Sequence, residues 1–380
     1  MRIGIDCRTI LSPAHGEKAG VGHYTYYLVK NLLQIDQRNT YVLFFDHRAN
    51  NAHEFKRRRT EIVRFPLSEY KRYLPYAYSH LMVSRTLNQA QLDVFHAPAN
   101  SIPLQYHKPT VVTVHDLAIY QHPEWFPPKQ NFSINVLVPK SVQRANAVIA
   151  VSQSTAQDIR RQFKVPANHI RVIYEGYAAP QLPTKLGAYR VLRPWHLQEH
   201  YLLYIGTLEP RKNIAGLITA FDSLAKAKPK RYHDVQLVIA GAKGYQFHKN
   251  YEAIQAVKSG HIRYVGYVTG LQKAALLRCA TAFVFPSFYE GFGLPVVEAM
   301  SYGVPVITSN VASLPEVVGK AGVLVNPQST RAVQQAIDRV VGSAALRQRL
   351  GRAGRQRVKQ FSWTKCAQET LQVYDQVYHG

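Results

Sequence analysis

The stretch from Thr281 to Asn310, TAFVFPSFYEGFGLPVVEAMSYGVPVITSN, constrains the fold of this chain more than any other. Its segment Ala282–Phe285 is continuously apolar, as expected for a strand covered on both faces of a parallel sheet. Pro295 suits the first turn of a helix and Gly303 suits its end, so a helix is predicted from about Leu294 to Tyr302. The apolar segment that follows starts another strand. The stretch therefore predicts a strand, a loop, a helix and a second strand of an α/β fold.

The loop in this stretch carries a carboxylate and a glycine-bearing turn. Glu290 lies in the loop and Glu298 lies on the predicted helix. The backbone N–H groups of Phe292, Gly293 and Leu294 fall at the helix N-terminus, where an anion such as a diphosphate is stabilised. Solvated carboxylates are also common near helix starts. The two glutamates with a Gly-Phe-Gly loop between them favour a binding site over that alternative.

Short apolar runs bounded by turn residues recur along the whole chain and predict strands that alternate with helices. The predicted strands are Met1–Ile5, Tyr41–Phe45, Ile62–Phe65, Val94–His96, Thr110–Val114, Ala147–Val151, Ile170–Ile173, Tyr201–Ile205, Val235–Ala240, Ile262–Val265, Ala282–Phe285, Val304–Thr308 and Gly322–Val325. Predicted helices include Tyr24–Leu33 and Ser154–Gln162, the second opened by a capping box of Ser154 and Gln157. Such alternation indicates doubly wound parallel sheets, whose ligands bind beyond the carboxyl ends of the strands.

The chain of 380 residues is too long for one ordinary core, which indicates two domains. The segment Pro180–Pro194 has few periodic apolar positions and is predicted to be the linker between them. Each half is predicted to be Rossmann-like. A final helix is predicted within Phe361–Tyr378, opened by Ser362.

The segment Gly206–Asn213, GTLEPRKN, follows the first strand of the second half. Arg211 and Lys212 stand where a helix is expected to begin, and cations there oppose the helix dipole. A bound diphosphate would explain them, because Arg offers a planar fork of donors and Lys a compact charge. A solvated basic turn is the alternative.

Three features of the first half lie at the ends of predicted strands. Gly20 and Gly22 would let the backbone approach a ligand closely, although a plain surface loop explains them equally well. His115 follows the apolar run VVTV and precedes Asp116. A histidine in such a position is most often structural, and His96 is predicted to be so.

The chain is strongly basic, with 47 Lys and Arg against 23 Asp and Glu and a net charge of +24. The electrostatic field of such a positive charge attracts polyanions. The basic surface is defined here by its cations and interleaved tyrosines: Lys56, Arg57, Arg58, Arg59, Tyr70, Lys71, Arg72, Tyr73, Tyr76 and Tyr78. A solvated face, an anionic membrane surface or nucleic acid would each suit this composition, but no nucleic-acid-binding motif supports the last.

Three widely spaced cysteines favour a reducing cytoplasm, and the strand-like start argues against a signal peptide. No apolar run is long enough to predict a membrane span. The expected location is the cytoplasm, with peripheral attachment to the inner face of the plasma membrane through the basic surface.

The residues FYEGFGLPVVEAMSYGVPVI, with glutamates eight positions apart, together with GTLEPRKN, resemble the retaining nucleotide-sugar glycosyltransferases of the group 1 type. The resemblance is to bacterial mannosyltransferases of surface polysaccharide synthesis in particular. It implies a GT-B fold, with two Rossmann-like doubly wound parallel-sheet domains facing a central cleft. Residues 1–183 would bind the acceptor, residues 184–361 would bind the nucleotide sugar, and residues 362–380 would form a helix that returns to the first domain.

The resemblance also implies roles for single residues. Glu290 and His115 would face the donor sugar, and Glu298 would hold the ribose. Arg211 and Lys212 would contact phosphate. The remaining donor-binding residues would be Gly20, Gly22, Gly206, Tyr267, Val268, Phe292, Gly293 and Leu294. One departure is Tyr174-Glu175-Gly176, where many members of the family carry Asn-Gly.

The predicted reaction moves a hexose from a nucleotide diphosphate donor to a glycan or polyprenyl-linked acceptor, with retention of anomeric configuration. Mannose from GDP-mannose is favoured over UDP-linked sugars. No Asp-x-Asp pair is present, so neither a metal nor another cofactor is predicted. A nucleotide-sugar epimerase and a non-catalytic nucleotide-binding module that docks at a membrane are the alternatives.

Overall fold

The computed structural model describes residues 1–11, 20–65, 76–103, 105–128, 133–178, 184–257 and 260–380, without the side chains of 76–82. These residues form two compact units. Unit 1 comprises residues 1–121, 128–176 and 362–380, and unit 2 comprises residues 122–127 and 177–361. The domain boundary predicted at 183 falls among residues 179–183, which lie outside the described ones.

Unit 1 is built on a parallel sheet of seven strands in the order β3-β2-β1-β4-β5-β6-β7. The strands are β1 (Arg2–Asp6), β2 (Thr40–Asp46), β3 (Thr60–Phe65), β4 (Val94–Ala97), β5 (Thr110–Val114), β6 (Ala147–Ala150) and β7 (Ile170–Val172). The four strands β1, β4, β5 and β6 are almost wholly buried. Helices on the sheet faces complete this core.

Unit 2 contains a parallel sheet of six strands in the order β10-β9-β8-β11-β12-β13. The strands are β8 (His200–Ile205), β9 (Val235–Ala240), β10 (Ile262–Gly266), β11 (Ala282–Phe285), β12 (Val306–Ser309) and β13 (Gly322–Val325). All thirteen predicted strands are confirmed, with ends that differ by at most two residues. The doubly wound α/β class is therefore confirmed in both units.

The α-helices of unit 1 are α1 (Val21–Ile35), α2 (Tyr76–Gln89), α3 (Ala118–Gln121), α4 (Val138–Arg144), α5 (Gln153–Phe163) and α15 (Trp363–His379). Those of unit 2 are α6 (Lys185–Leu192), α7 (Ile214–Ala227), α8 (Pro229–Tyr232), α9 (Phe247–Ala256), α10 (Gly270–Cys279), α11 (Leu294–Tyr302), α12 (Leu314–Val318), α13 (Thr330–Val341) and α14 (Ala344–Arg357). Shorter turns of 3₁₀ or π type lie at Ala52–Phe55, Pro123–Trp125, Ser133–Leu137, Ala167–His169, Arg193–Trp195, Pro210–Lys212 and Val358–Gln360.

The predicted capping box at the start of α5 is wrong, and the predicted linker is partly helical. The start of α5 is capped by Ser152, whose extended backbone lets its Oγ accept the N–H of Thr155, so Ser154 lies inside the helix and no capping box forms. The predicted linker is helical in its second part. Thr184 caps α6, and Ala188 and Leu192 bury one face of that short helix.

The order of strands places a crevice in each sheet. The order reverses between β1 and β4 in unit 1, and between β8 and β11 in unit 2. Loops at the carboxyl ends of such neighbouring strands part at this point and leave room for a ligand. Among the described residues, no helix combines the length and the apolarity needed to cross a bilayer.

Candidate active site

The cations and one glutamate predicted for the donor site meet at the crevice of unit 2. Arg211 and Lys212 follow β8, and Glu290 follows β11, the strand beside β8 in the sheet. The two loops are joined directly, because the backbone N–H of Phe288 donates to the carbonyl of Arg211 at 2.8 Å. The topology therefore brings together residues about eighty positions apart.

These residues form an ion network with a fourth member, Glu209. Lys212 Nζ lies 2.6 Å from Glu290 Oε1, and an Arg211 guanidinium nitrogen lies 3.4 Å from Glu290 Oε2. Arg211 Nε donates to Glu209 Oε1 at 2.6 Å. Glu290 and Lys212 are only 6% and 7% exposed. Two cations and two carboxylates thus balance each other in a nearly closed space.

Burial and the opposite charges within this network shift the pKa values of its members in opposite directions. Burial alone would raise the pKa of Glu290, but the charges of Lys212 and Arg211 outweigh it and hold that pKa below the usual value. Burial and the neighbouring Arg211 charge lower the pKa of Lys212, against the opposing pull of Glu290 and Glu209. Since each buried charge needs its partner, the network is a fixed arrangement rather than a solvated basic turn.

The position of the two cations differs from the prediction. Arg211 and Lys212 lie in the 3₁₀ turn Pro210–Lys212, and α7 begins only after Asn213, whose backbone is left-handed with φ 54°. Their placement before the helix is explained by their carboxylate partners without a ligand. Glu209 was missed as a functional residue although it stands within GTLEPRKN, because only the two cations of that segment indicated a phosphate site.

The glycine-bearing loop before α11 is held by one serine. Ser313 Oγ contacts the carbonyl oxygens of Glu290 and Phe292, each at 2.9 Å. Gly293 has φ 103°, which strains any residue with a Cβ, and a Cβ there would lie 2.9 Å from Leu314. The helix then starts at Leu294, as predicted, and the backbone N–H groups of Phe292, Gly293 and Leu294 stand at that start. Their contact with phosphate remains a prediction.

Glu298 lies on α11 and pairs with Lys273 of α10 at 2.5 Å. Both side chains are partly exposed. Lys273 had no signal in the sequence, because the pair spans 25 positions between two helices. The role of Glu298 in holding ribose hydroxyls stays a prediction.

Tyr267 and Val268 connect β10 to α10. The Tyr267 side chain is 55% exposed, whereas Val268 is buried. The capping box of Thr269 and Gln272 fixes the start of α10 directly after them. An exposed ring on a rigid connection is suited to stack on a nucleotide base, and the role stays a prediction.

Gly206 follows β8 and has a structural explanation of its own. A Cβ at this position would lie 2.8 Å from the hydroxyl oxygen of Tyr204. Close packing against buried Tyr204 therefore favours glycine here whether or not a donor binds.

In unit 1, His115 follows β5 and both of its ring nitrogens have partners. Nε2 donates to the carbonyl of Pro98 at 2.8 Å, and Nδ1 lies 3.2 Å from Glu175 Oε1. The ring edge also packs against Tyr24, with centroids 4.7 Å apart. Since Nε2 carries a proton to donate, a second hydrogen bond at Nδ1 requires either an imidazolium or a protonated Glu175.

Glu175 is thus a candidate functional residue that the sequence only marked as a departure from the family pattern. It is 4% exposed. The bond to His115 spans 60 positions, so nothing local indicated it. The neighbouring Asp116 accepts the backbone N–H of Ala118 at the start of α3, a structural role.

The other predictions in unit 1 have mixed outcomes. Gly20 directly precedes α1 and Gly22 lies in its first turn, but residues 12–19 of that loop lie outside the described ones. His96 is structural, as predicted: its Nδ1 lies 2.6 Å from the Tyr374 hydroxyl and its Nε2 lies 2.8 Å from Thr113 Oγ1. Burial, assisted by nearby His115, lowers the pKa of His96 to about 3.

Only part of the basic surface is described. Lys56, Arg57, Arg58 and Arg59 are all exposed before β3. Tyr70, Lys71, Arg72 and Tyr73 lie outside the described residues, and the side chains of Tyr76 and Tyr78 are not described, although both residues open α2.

Two family models match the chain. The model for glycosyl transferases group 1 matches residues 193–357, and the model for glycosyltransferase family 4 matches residues 19–178. O-antigen chain mannosyltransferase B of Escherichia coli is 35% identical over 284 residues, which cover 74% of each chain. Glycogen synthase of Mycobacterium tuberculosis is 32% identical over 295 residues, covering 74% of this chain and 68% of that one. Sucrose-phosphate synthase from Thermosynechococcus elongatus shares the fold, with a TM-score of 0.77 at 22% identity, over 100% of this chain and 99% of that one.

Proposed function

Because the chain belongs to the group 1 glycosyltransferases and has their GT-B fold, we propose that it transfers mannose from GDP-mannose to a glycan or polyprenyl-linked acceptor. The proposed outcome is retention of the anomeric configuration without a metal. Mannose is supported by the similarity to O-antigen chain mannosyltransferase B. A glucose donor is the competing choice, since a glycogen synthase is almost as similar.

The observation that carries this proposal is the buried network of Arg211, Lys212, Glu209 and Glu290 at the crevice of unit 2. A donor diphosphate brings negative charge beside Arg211 and Lys212, where it competes with the carboxylates for the same N–H groups. Glu290 would then exchange part of its cation contact for hydroxyls of the donor sugar. The amides at the start of α11 would bind the same diphosphate.

In the proposed reaction, the acceptor hydroxyl attacks the anomeric carbon from the face that the diphosphate leaves. The bond from that carbon to the phosphate oxygen breaks, and the departing oxygen takes the acceptor proton. Arg211 and Lys212 stabilise the charge that grows on the leaving diphosphate. A double displacement would need a carboxylate nucleophile under the sugar. Asp116 accepts the backbone N–H of Ala118 and Glu290 is paired with Lys212, which supports the single-face route.

Donor identity is tested by a thermal-shift screen of nucleoside diphosphates, followed by turnover with the matching sugars. A ligand at one hundred times its dissociation constant adds about 2.7 kcal/mol of stability. We expect GDP to stabilise the protein more than UDP, and GDP-mannose to be consumed. Preference for UDP or ADP, with glucose transferred, would contradict the mannose proposal while leaving the transferase assignment in place.

The stereochemical proposal is tested by proton NMR of the first product and by intact-mass spectrometry of the enzyme mixed with donor. We expect the donor's anomeric configuration in the product and no added sugar mass on the protein. An inverted anomer, or an adduct on Asp116 or Glu290, would refute it.

The two alternatives have separate tests. An epimerase would convert the donor sugar without forming product on an added acceptor, and a non-catalytic module would leave the donor unchanged. Family membership favours neither.

Attachment to an anionic membrane is part of the proposal because a polyprenyl-linked acceptor lies there. Each of the exposed Lys56, Arg57, Arg58 and Arg59 would contribute about 1 kcal/mol near such a surface. Vesicle sedimentation should show binding to anionic but not neutral lipid, weakening as salt rises. A variant with all four changed to Gln should lose this binding; equal binding to both vesicle types would contradict the proposal.

A further inference from the structure

A cavity of about 560 Å³ lies in unit 2, beside the ion network, and no predicted role involves it. One wall is aromatic, formed by His122, Trp125 and Phe288. The side chains of Asn310, Asn326 and Gln328 contribute amide groups. Cavities of a few hundred Å³ are of the size that binds small organic ligands.

The three aromatic rings lie nearly parallel. His122 stacks on Trp125 with centroids 3.9 Å apart and planes 14° apart. Trp125 and Phe288 are 6.0 Å apart with planes at 22°. At this wider spacing the rings of Trp125 and Phe288 do not cover one another fully, and both side chains are only partly buried. Ring surface is therefore left for a ligand.

The cavity shares its walls with the ion network. Phe288 stands two positions before Glu290, and its N–H donates to the carbonyl of Arg211. Pro327, another lining residue, accepts a hydrogen bond of 2.7 Å from the side chain of Asn213. The loops that hold the proposed donor contacts thus also form the cavity.

The chemistry of the lining differs from that of the network. No Lys or Arg is among the described residues that line the cavity, and one of those residues is the carboxylate Glu124. A diphosphate therefore has no Lys or Arg among the described lining residues to bind. A neutral sugar fits better, because its C–H faces pack on aromatic rings and its hydroxyls bond to side-chain amides.

From this geometry we propose that the cavity binds a sugar ring of the acceptor glycan, one or two residues from the hydroxyl that receives the transferred hexose. This inference rests on the proposed function for the identity of the sugar. Trp125 and Phe288 provide the apolar surface, and Asn310, exposed at the end of β12, provides polar contacts.

The experiment uses the full chain with three α-linked mannobioses (1→2, 1→3 and 1→6) as probes. Binding is measured by ligand-observed NMR, which needs no turnover, and acceptor and donor KM values are measured where transfer occurs. Trp125→Ala is expected to weaken binding of a mannobiose or raise its KM by about tenfold, the loss of roughly 1.4 kcal/mol of contact. The donor KM should not change.

Tyr251→Ala is the matched control, because Tyr251 is an exposed aromatic residue of unit 2 outside the cavity. If Trp125→Ala does not fold, Asn310→Ala replaces it, since this exposed side chain can be removed without opening a core. Unchanged mannobiose binding in the folded variant, or no binding of any mannobiose to the unaltered protein, overturns the inference. The proposed function fails separately, when no nucleotide sugar is consumed.

Discussion

The two units place their candidate catalytic residues at the same kind of strand end but hold them by different means. In unit 2, Arg211 and Lys212 are fixed by buried ion pairs with Glu209 and Glu290. In unit 1, His115 is held by a backbone carbonyl and a single buried carboxylate, Glu175. The first arrangement distributes charge over four groups, whereas the second depends on one pair.

This difference predicts how each region should respond to substitution. Removing one member of the unit 2 network leaves a buried charge uncompensated, so stability should fall together with activity. In unit 1 Glu175, the partner of His115, can be neutralised without leaving a permanent positive charge unpaired, because an imidazole can release its proton. Four predictions test this contrast.

The largest expected effect is on the stability of unit 2. Glu290→Gln should cost about 3–5 kcal/mol of unfolding free energy, because Lys212 is left buried without a full counter-charge. The double variant Lys212→Met with Glu290→Gln should recover part of that loss. Urea unfolding followed by hydrogen exchange of peptides from β8 and β11 measures both.

Asp222→Asn is the control for this prediction, since Asp222 pairs with the exposed Lys226 in the same unit. Its cost should stay below about 1 kcal/mol. Single and double variants whose losses simply add would show that the buried pair is not coupled and would remove the contrast between the units.

The next effect is kinetic. Arg211→Ala and Lys212→Ala should each lower kcat by about a hundredfold or more, equivalent to roughly 2.7–4 kcal/mol, because the diphosphate gains charge as it leaves. Steady-state kinetics with the confirmed donor measures this. If either variant raises KM and leaves kcat unchanged, that side chain binds the donor equally in the ground state and in the transition state.

The number of positions between contacting residues explains which parts of these two regions could be predicted from the sequence. GTLEPRKN and FYEGFG each place their functional groups within one short segment, so the donor residues and the surrounding strand, loop and helix could be predicted. Glu175 could not be predicted, because its partner His115 is 60 positions away. No neighbouring residue indicates a role for a carboxylate beside Gly176. The same holds for Lys273, which meets Glu298 only through the packing of α10 on α11.

A smaller effect is expected in unit 1. Glu175→Gln should lower kcat by about ten- to a hundredfold, from loss of a hydrogen bond to a charged group worth roughly 1.5–3 kcal/mol. Because Glu175 holds the ring of His115 through Nδ1, the loss should appear in kcat rather than in the donor KM, and steady-state kinetics measures both. Glu175→Asp should restore part of the rate.

Glu61→Gln, which removes an exposed ion pair with Arg2 in the same unit, is the control for Glu175. A Glu175→Gln variant with reduced stability but an unchanged kcat would assign Glu175 a purely structural role.

The smallest effect is a pH dependence of stability due to His96. Its folded pKa is about 3, well below the usual value, so neutral His96 contributes stability that is fully present above pH 6.5 and is lost as pH falls toward 3. Between pH 7 and pH 5 the loss should be about 2 kcal/mol. Hydrogen exchange of β4 and β5 in the unaltered protein and in His96→Gln measures it; equal losses in both would contradict the assignment.

The hydrogen bond between His96 and Tyr374 has a consequence for the order in which the protein forms during translation. Its two residues are 278 positions apart, and α15, which carries Tyr374, belongs to unit 1. On the ribosome, unit 2 can therefore be synthesised in full while unit 1 still lacks its last helix. Until then Nδ1 of His96 lacks its Tyr374 partner, although Nε2 can already bond to Thr113. A ribosome that stalls before residue 363 leaves unit 1 without α15 and open to chaperones and proteases.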